Sequence, residues 1–181
     1  LDLVGFEFEV VHPSVDEDEH ADEDPVTHVL RLAELKARSV ADGRKEGLVL
    51  GADTIVLLED EILEKPADED EAFGMLSRLS GARHVVYTGL AVVDSATGES
   101  VTGYETTRVK IRDMSPEEIR AYIKTGEPLD KAGSYGIQGY GAAIVESVEG
   151  CYFNVVGLPL VRLLRLLKGL AGKPGGVSHG G

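Results

Sequence analysis

Cysteine is nearly absent from this chain: Cys151 is the only one among 181 residues, so no internal disulfide can form. No charged-then-apolar signal segment opens the residues given, and a reducing cytoplasm is the expected compartment. No apolar run approaches the roughly 18 residues that a membrane-spanning helix needs, so no membrane is expected as a partner. Basic residues are scarce as well, 18 Lys and Arg against 32 Asp and Glu, for a formal charge of −14. That balance repels a phosphate backbone and argues against a nucleic acid polymer as partner. A single nucleotide needs only a few local cations and a metal, and it stays open.

Several chemical signatures are missing too. There is no Gly-x-x-x-x-Gly-Lys-Ser/Thr loop, which excludes the usual NTPase architecture. His20, His28 and His84 stand at no metal-ligand spacing with a cysteine, and structural or solvated roles are expected of them. Ser80-Gly81 has no Gly-x-Ser-x-Gly elbow around it and reads as a helix stop. Cys151 has no nearby base and reads as a small strand residue. The length suits one buried domain, with no break in composition to mark a second.

What is present alternates strand and helix signals. Residues 6–11 alternate apolar and acidic side chains, a half-buried strand by period. An acidic run follows at residues 16–24, and Asp24-Pro25 is a helix start, with the periodicity running to Asp42-Gly43. Leu48-Val49-Leu50-Gly51-Ala52 predicts a short buried strand with Asp53-Thr54 at its carboxyl end, where α/β sheets place their chemistry. Residues 55–58 and 62–63 predict a tight hairpin that brings Lys65 back toward Asp53. A helix is expected from Asp68 to a stop at Gly81. Residues 84–93 and 101–111 read as two long strands around a Thr97-Gly98 turn. Ser115-Pro116-Glu117-Glu118 is a capping box for a helix that stops at Gly126. Residues 142–145 and 152–156 read as the last strands, Pro159 opens a leucine-rich helix, and residues 171–181 are Gly-rich and expected to be disordered.

Between these elements lies Glu127-Pro128-Leu129-Asp130-Lys131-Ala132-Gly133-Ser134-Tyr135-Gly136-Ile137-Gln138-Gly139. It is too polar and glycine-rich for core and too chemically specific for a linker; exposed loops of this kind hold ligands. Asp53 is the best candidate for a general base or metal-held carboxylate, since a hard cation prefers carboxylate oxygen and keeps waters, one of which can attack. Lys36 and Lys65 are compact charges suited to phosphate oxygens. Gln138 carries an amide that both donates and accepts, and so can read a ligand edge that offers both an acceptor and a donor.

Together with Gly51-Ala52-Asp53-Thr54, Glu64-Lys65-Pro66 and Leu79-Ser80-Gly81, the loop resembles the Maf family of nucleoside triphosphate pyrophosphatases, over residues 5–170. The best-matching branch acts on dTTP and UTP. The resemblance implies an α/β fold with a long, twisted mixed sheet and helices around a central cleft, like inosine triphosphate pyrophosphatase, in a domain spanning residues 1–170. It implies hydrolysis to the monophosphate and pyrophosphate with Mg²⁺ or Mn²⁺, and a homodimer. It makes Asp53 the proton acceptor and, with Glu17, a support for the metal. Lys36 and Lys65 become phosphate ligands, and Thr54 and Gln138 set base preference. Lys131 pairs with Asp130 to shape the loop and touches the nucleotide. The family also opens with a strand and a Ser-x-Ser-Pro-Arg-Arg loop that this sequence does not show, so weak triphosphate binding is expected of the chain as given. House-cleaning of the nucleotide pool and an influence on septum formation are the implied cellular roles. The alternative is a catalytically weak, nucleotide-binding regulator of septum formation, which a turnover assay separates from an enzyme.

Overall fold

Asp24 and Pro25 begin α1 (Pro25–Ala41) as their order predicts. The Asp24 carboxylate accepts the Val26 and Thr27 N–H groups, and proline takes a first-turn position where its missing N–H costs nothing. The computed structural model in which this is seen describes residues 1–13, 15 and 23–171. Glu17 and all but the first residue of the segment expected to be disordered, 171–181, lie outside the described residues.

After α1 come β1 (Leu48–Leu58), β2 (Glu61–Leu63), α2 (Glu69–Leu79), β3 (Arg83–Asp94), β4 (Ser100–Ile111), α3 (Pro116–Ile123), β5 (Val145–Gly150), α4 (Tyr152–Val156) and α5 (Leu160–Ala171). The strands form one five-stranded sheet in the order β2-β1-β3-β4-β5. Its two edge pairings are antiparallel, with Leu57 opposite Ile62 and Val109 opposite Val148. The short connections from β1 to β2 and from β3 to β4 are hairpins, which join antiparallel neighbours. No described helix is long and apolar enough to cross a membrane.

Four expectations about elements need correction. Residues 6–11 form no strand: Phe8 and Val10 are exposed, and alternation without a buried face or a paired neighbour does not hold a ladder. β1 is one strand of 11 residues, so Asp53 and Thr54 sit inside it rather than at its end. Residues 142–143 belong to a 3-10 turn, and the strand that follows is Val145–Gly150. Residues 152–156 are helical, closed by Gly157 at φ 102°, since a five-residue apolar run carries no period that separates strand from helix.

The chain divides into two compact units. One comprises the described residues of Leu1–Asp53, Gly89–Tyr104 and Leu160–Gly181; the other comprises Thr54–Thr88 and Glu105–Pro159. In the first, Ala33, Ala37 and Ala41 of α1 pack on Ala91 and Val93 of β3, with Val49 of β1 at the margin. The approach is close enough to exclude side chains beneath the helix. A Cβ on Gly51 would overlap the Ala33 carbonyl oxygen and lie 2.8 Å from the Ala37 nitrogen, and one on Gly89 would overlap the Val29 carbonyl. Gly51→Ala is therefore expected to destabilise the protein by about 1–3 kcal/mol or more, as overpacking against backbone does. Urea unfolding beside a Gly74→Ala control checks this, because Gly74 lies in α2 with nothing within 4 Å of a new Cβ. A Gly51→Ala midpoint equal to wild type would contradict the packing account.

The second unit has the larger core. Val56 and Leu58 of β1, Leu63 of β2, Leu76 and Leu79 of α2, Val109 and Ile111 of β4 and Ile119 and Ile123 of α3 form one buried cluster. Helix α3 starts on the complete capping box foreseen at Ser115 and Glu118. Gly81 and Gly126, the expected stops, both take positive φ.

Candidate active site

The close seating of α1 on Gly51 and Gly89 carries Lys36 to Asp53, two residues beyond Gly51 on β1. The Lys36 ammonium donates to Asp53 Oδ1 at 2.7 Å, with the Asp53 side chain 9% and the Lys36 side chain 18% exposed. The second carboxylate oxygen, Oδ2, is buried and has no hydrogen-bond partner among the described residues. A buried carboxylate oxygen in this condition is costly unless a donor, a water or a cation meets it. Among the described residues no group of three His, Cys, Asp or Glu side chains converges as a metal site.

In the other unit, Thr54 directs its hydroxyl to the Thr88 hydroxyl, 2.9 Å away. Lys65 is exposed on the segment after β2 and is followed by buried Pro66. The neighbouring Glu64 carbonyl accepts the Gly133 N–H at 3.0 Å, which ties this segment to the glycine-rich loop. Lys131 pairs with Asp130 at 2.7 Å, as expected, and its Cε lies 3.6 Å from the position a Cβ on Gly136 would take. Gln138 is exposed. Among the described residues, two direct pairs join residues singled out in the sequence, Lys36 with Asp53 and Lys131 with Asp130.

The loop itself is less exposed than its composition suggests. Pro128, Gly133, Ser134, Tyr135 and Ile137 are buried, and Tyr135 is a member of the core cluster. Its phenol meets His84 Nε2 at 2.7 Å, and burial pushes the His84 imidazole down to about 4, so the ring is neutral at physiological pH. That is the structural role expected for this histidine. Glycines and short 3-10 turns let polar backbone fold over core here, provided each N–H finds an acceptor.

Glu127 is the chief acceptor. Its carboxylate takes the Tyr140 N–H at 2.8 Å, the Gly141 N–H at 2.9 Å and the Tyr122 hydroxyl at 2.7 Å. A Cβ on Gly139, at φ 63°, would overlap this carboxylate. Burial works against the charge, but the Tyr122 hydroxyl and the two N–H groups outweigh it and hold the Glu127 carboxyl below its ordinary value. In the sequence Glu127 is only the first residue of the loop, with no role expected of it. The available signal was an acidic residue ahead of proline and three glycines, a place where backbone donors need an acceptor.

Residues 1–170 match the family model described as Maf-like protein. The chain belongs to the Maf family. It is 46% identical over 174 residues to the dTTP/UTP pyrophosphatase of Caldicellulosiruptor saccharolyticus, covering 94% of this chain and 87% of that protein. Identity is 49% over 169 residues with the dTTP/UTP pyrophosphatase of Thermoanaerobacter sp. strain X514, covering 93% and 88%. With that of Syntrophomonas wolfei it is 48% over 167 residues, covering 92% and 88%. Two further residues at the Maf chain's Thr54 escaped sequence reading. Thr88 and Asn154, both wholly buried, lie behind Thr54 in one hydrogen-bonded chain. A polar residue inside the apolar run at 152–156 was the only sign of it.

Proposed function

We propose that this chain hydrolyses dTTP and UTP between the α and β phosphorus atoms, releasing the monophosphate and pyrophosphate. The observation that carries this reading is the Lys36–Asp53 pair, with an Oδ2 that no described residue satisfies, in a chain close in sequence to proteins named for that activity. In this reading Asp53 takes a proton from the attacking water, and the Lys36 ammonium on Oδ1 holds the carboxylate in one orientation with the other oxygen free to act. A bound Mg²⁺ or Mn²⁺ supplies charge neutralisation on the phosphate oxygens. The Asp53 carboxylate, whose Oδ2 has no hydrogen-bond partner among the described residues, is of a chemistry that would fit such a hard cation, with Glu17 as the second carboxylate, and a water held there would lie beside the base. Lys36 and Lys65 meet phosphate oxygens, Lys131 touches the nucleotide, and Thr54 and Gln138 face the base. A homodimer, a cytoplasmic setting and a role in keeping the nucleotide pool clean complete the proposal.

Gln138 provides the test of substrate class. Glutamate keeps the shape but sets a negative acceptor where an amide donor would meet O4, and losing such a bond costs about 1–3 kcal/mol, roughly a factor of 5 to 150. Gln138→Glu is expected to lower kcat/KM for dTTP and UTP by that factor against a panel of triphosphates. The melting temperature should hold, because the side chain is exposed. An unchanged ranking would make Gln138 a loop-shaping residue only.

A further inference from the structure

The Thr54 hydroxyl stands at the end of a chain of hydrogen bonds whose direction can be assigned atom by atom. Asn154 is wholly buried, and its Nδ2 donates to the Val86 carbonyl and to Thr107 Oγ1, both at 3.0 Å. A carbonyl only accepts, so the amide cannot be turned round. Thr107 Oγ1 in turn donates to the Cys151 carbonyl and accepts the Cys151 N–H, each at 3.1 Å. These bonds fix α4 and with it the Asn154 carbonyl. Thr88 Oγ1 donates to that carbonyl at 3.0 Å. A hydroxyl has one proton, so Thr88 has none left for Thr54, and the 2.9 Å bond between the two hydroxyls must be donated by Thr54.

The consequence lies at Thr54. Its own proton is spent on Thr88, and what remains for a ligand is lone pairs. We infer that Thr88 and Asn154 are positioning residues that hold the Thr54 hydroxyl as an obligate acceptor, and that this selects bases carrying an N3–H donor, uracil and thymine, over cytosine, whose N3 accepts. The inference rests on the reading above in which Thr54 faces the base. A freely rotating hydroxyl could donate to cytosine as readily as accept from uracil. One whose proton is committed to a buried partner opposes lone pair to lone pair when cytosine is offered, and unpaired acceptors of this kind are what make hydrogen-bonding sites selective.

The test compares kcat/KM for UTP and CTP in four proteins. Thr88→Val removes the hydroxyl at nearly constant volume and frees the Thr54 proton, so the preference for UTP over CTP should narrow by about tenfold, the size of one hydrogen bond. Thr88→Ser keeps the relay and should keep the wild-type ratio. Thr54→Val removes the reading group and should also narrow the ratio. If the valine variant at 88 does not fold, Thr88→Cys takes its place, since a thiol is a weak donor of similar size. A narrowed ratio in Thr88→Val with restoration in Thr88→Ser supports the relay. A wild-type ratio in Thr88→Val while Thr54→Val narrows it overturns the relay and leaves Thr54 as a base contact. A wild-type ratio in both overturns the base contact and the relay together. A loss of stability alone would leave the ratio where it was, which separates this role from a merely structural one.

Discussion

Asp53→Asn is expected to lower kcat for dTTP and UTP by about 10²- to 10⁴-fold, the range that a general base contributes, while leaving the protein folded. The amide has the shape of the carboxylate and lacks its basicity and most of its attraction for a hard cation. Asp53 lies within β1, its backbone held in the sheet, so the substitution leaves the strand in place. Its side chain is 9% exposed, with one oxygen unpartnered among the described residues. Circular dichroism should match wild type, and the melting temperature should fall only modestly, because the Lys36 ammonium left without its carboxylate is 18% exposed and can be met by water. Retention of more than about a tenth of kcat would remove Asp53 from the base role.

Lys36→Met has the second large effect, and it falls on stability as well as rate. Methionine leaves the Asp53 carboxylate in a largely closed site without its cation, and breaking a buried pair from one side costs about 3–5 kcal/mol. The value here is expected at the low end of that range, because the Lys36 side chain is still 18% exposed. The double variant Lys36→Met/Asp53→Asn should recover part of the loss, because a neutral amide no longer needs the ammonium; coupling energies for touching residues run about 0.5–3 kcal/mol. Additive losses in the double variant would mean that the pair does not act as a unit.

The parts of this molecule legible in its sequence are those governed by neighbours along the chain. Asp24-Pro25 and Ser115-Pro116-Glu117-Glu118 announced α1 and α3 because cap chemistry is local. The alanine face of α1 and Gly51 could be read, but not that they meet at backbone distance to bring Lys36 onto Asp53 across 17 residues. The glycine-rich loop was recognisable by composition, yet its burial was not, since the acceptor that makes burial tolerable, Glu127, serves N–H groups 13 and 14 residues away. The least legible feature is the chain through Thr54, Thr88 and Asn154. Its bonds span 34 and 66 residues, and its last member sits in a run that reads as strand and folds as helix.

The most direct measurement is product identification after incubation of the protein with dTTP or UTP and Mg²⁺ or Mn²⁺, with Asp53→Asn run alongside. The account predicts the nucleoside monophosphate and pyrophosphate in equal amounts, with the variant releasing both about 10²- to 10⁴-fold more slowly. Release of diphosphate and inorganic phosphate, or binding of the triphosphate without turnover, would contradict it.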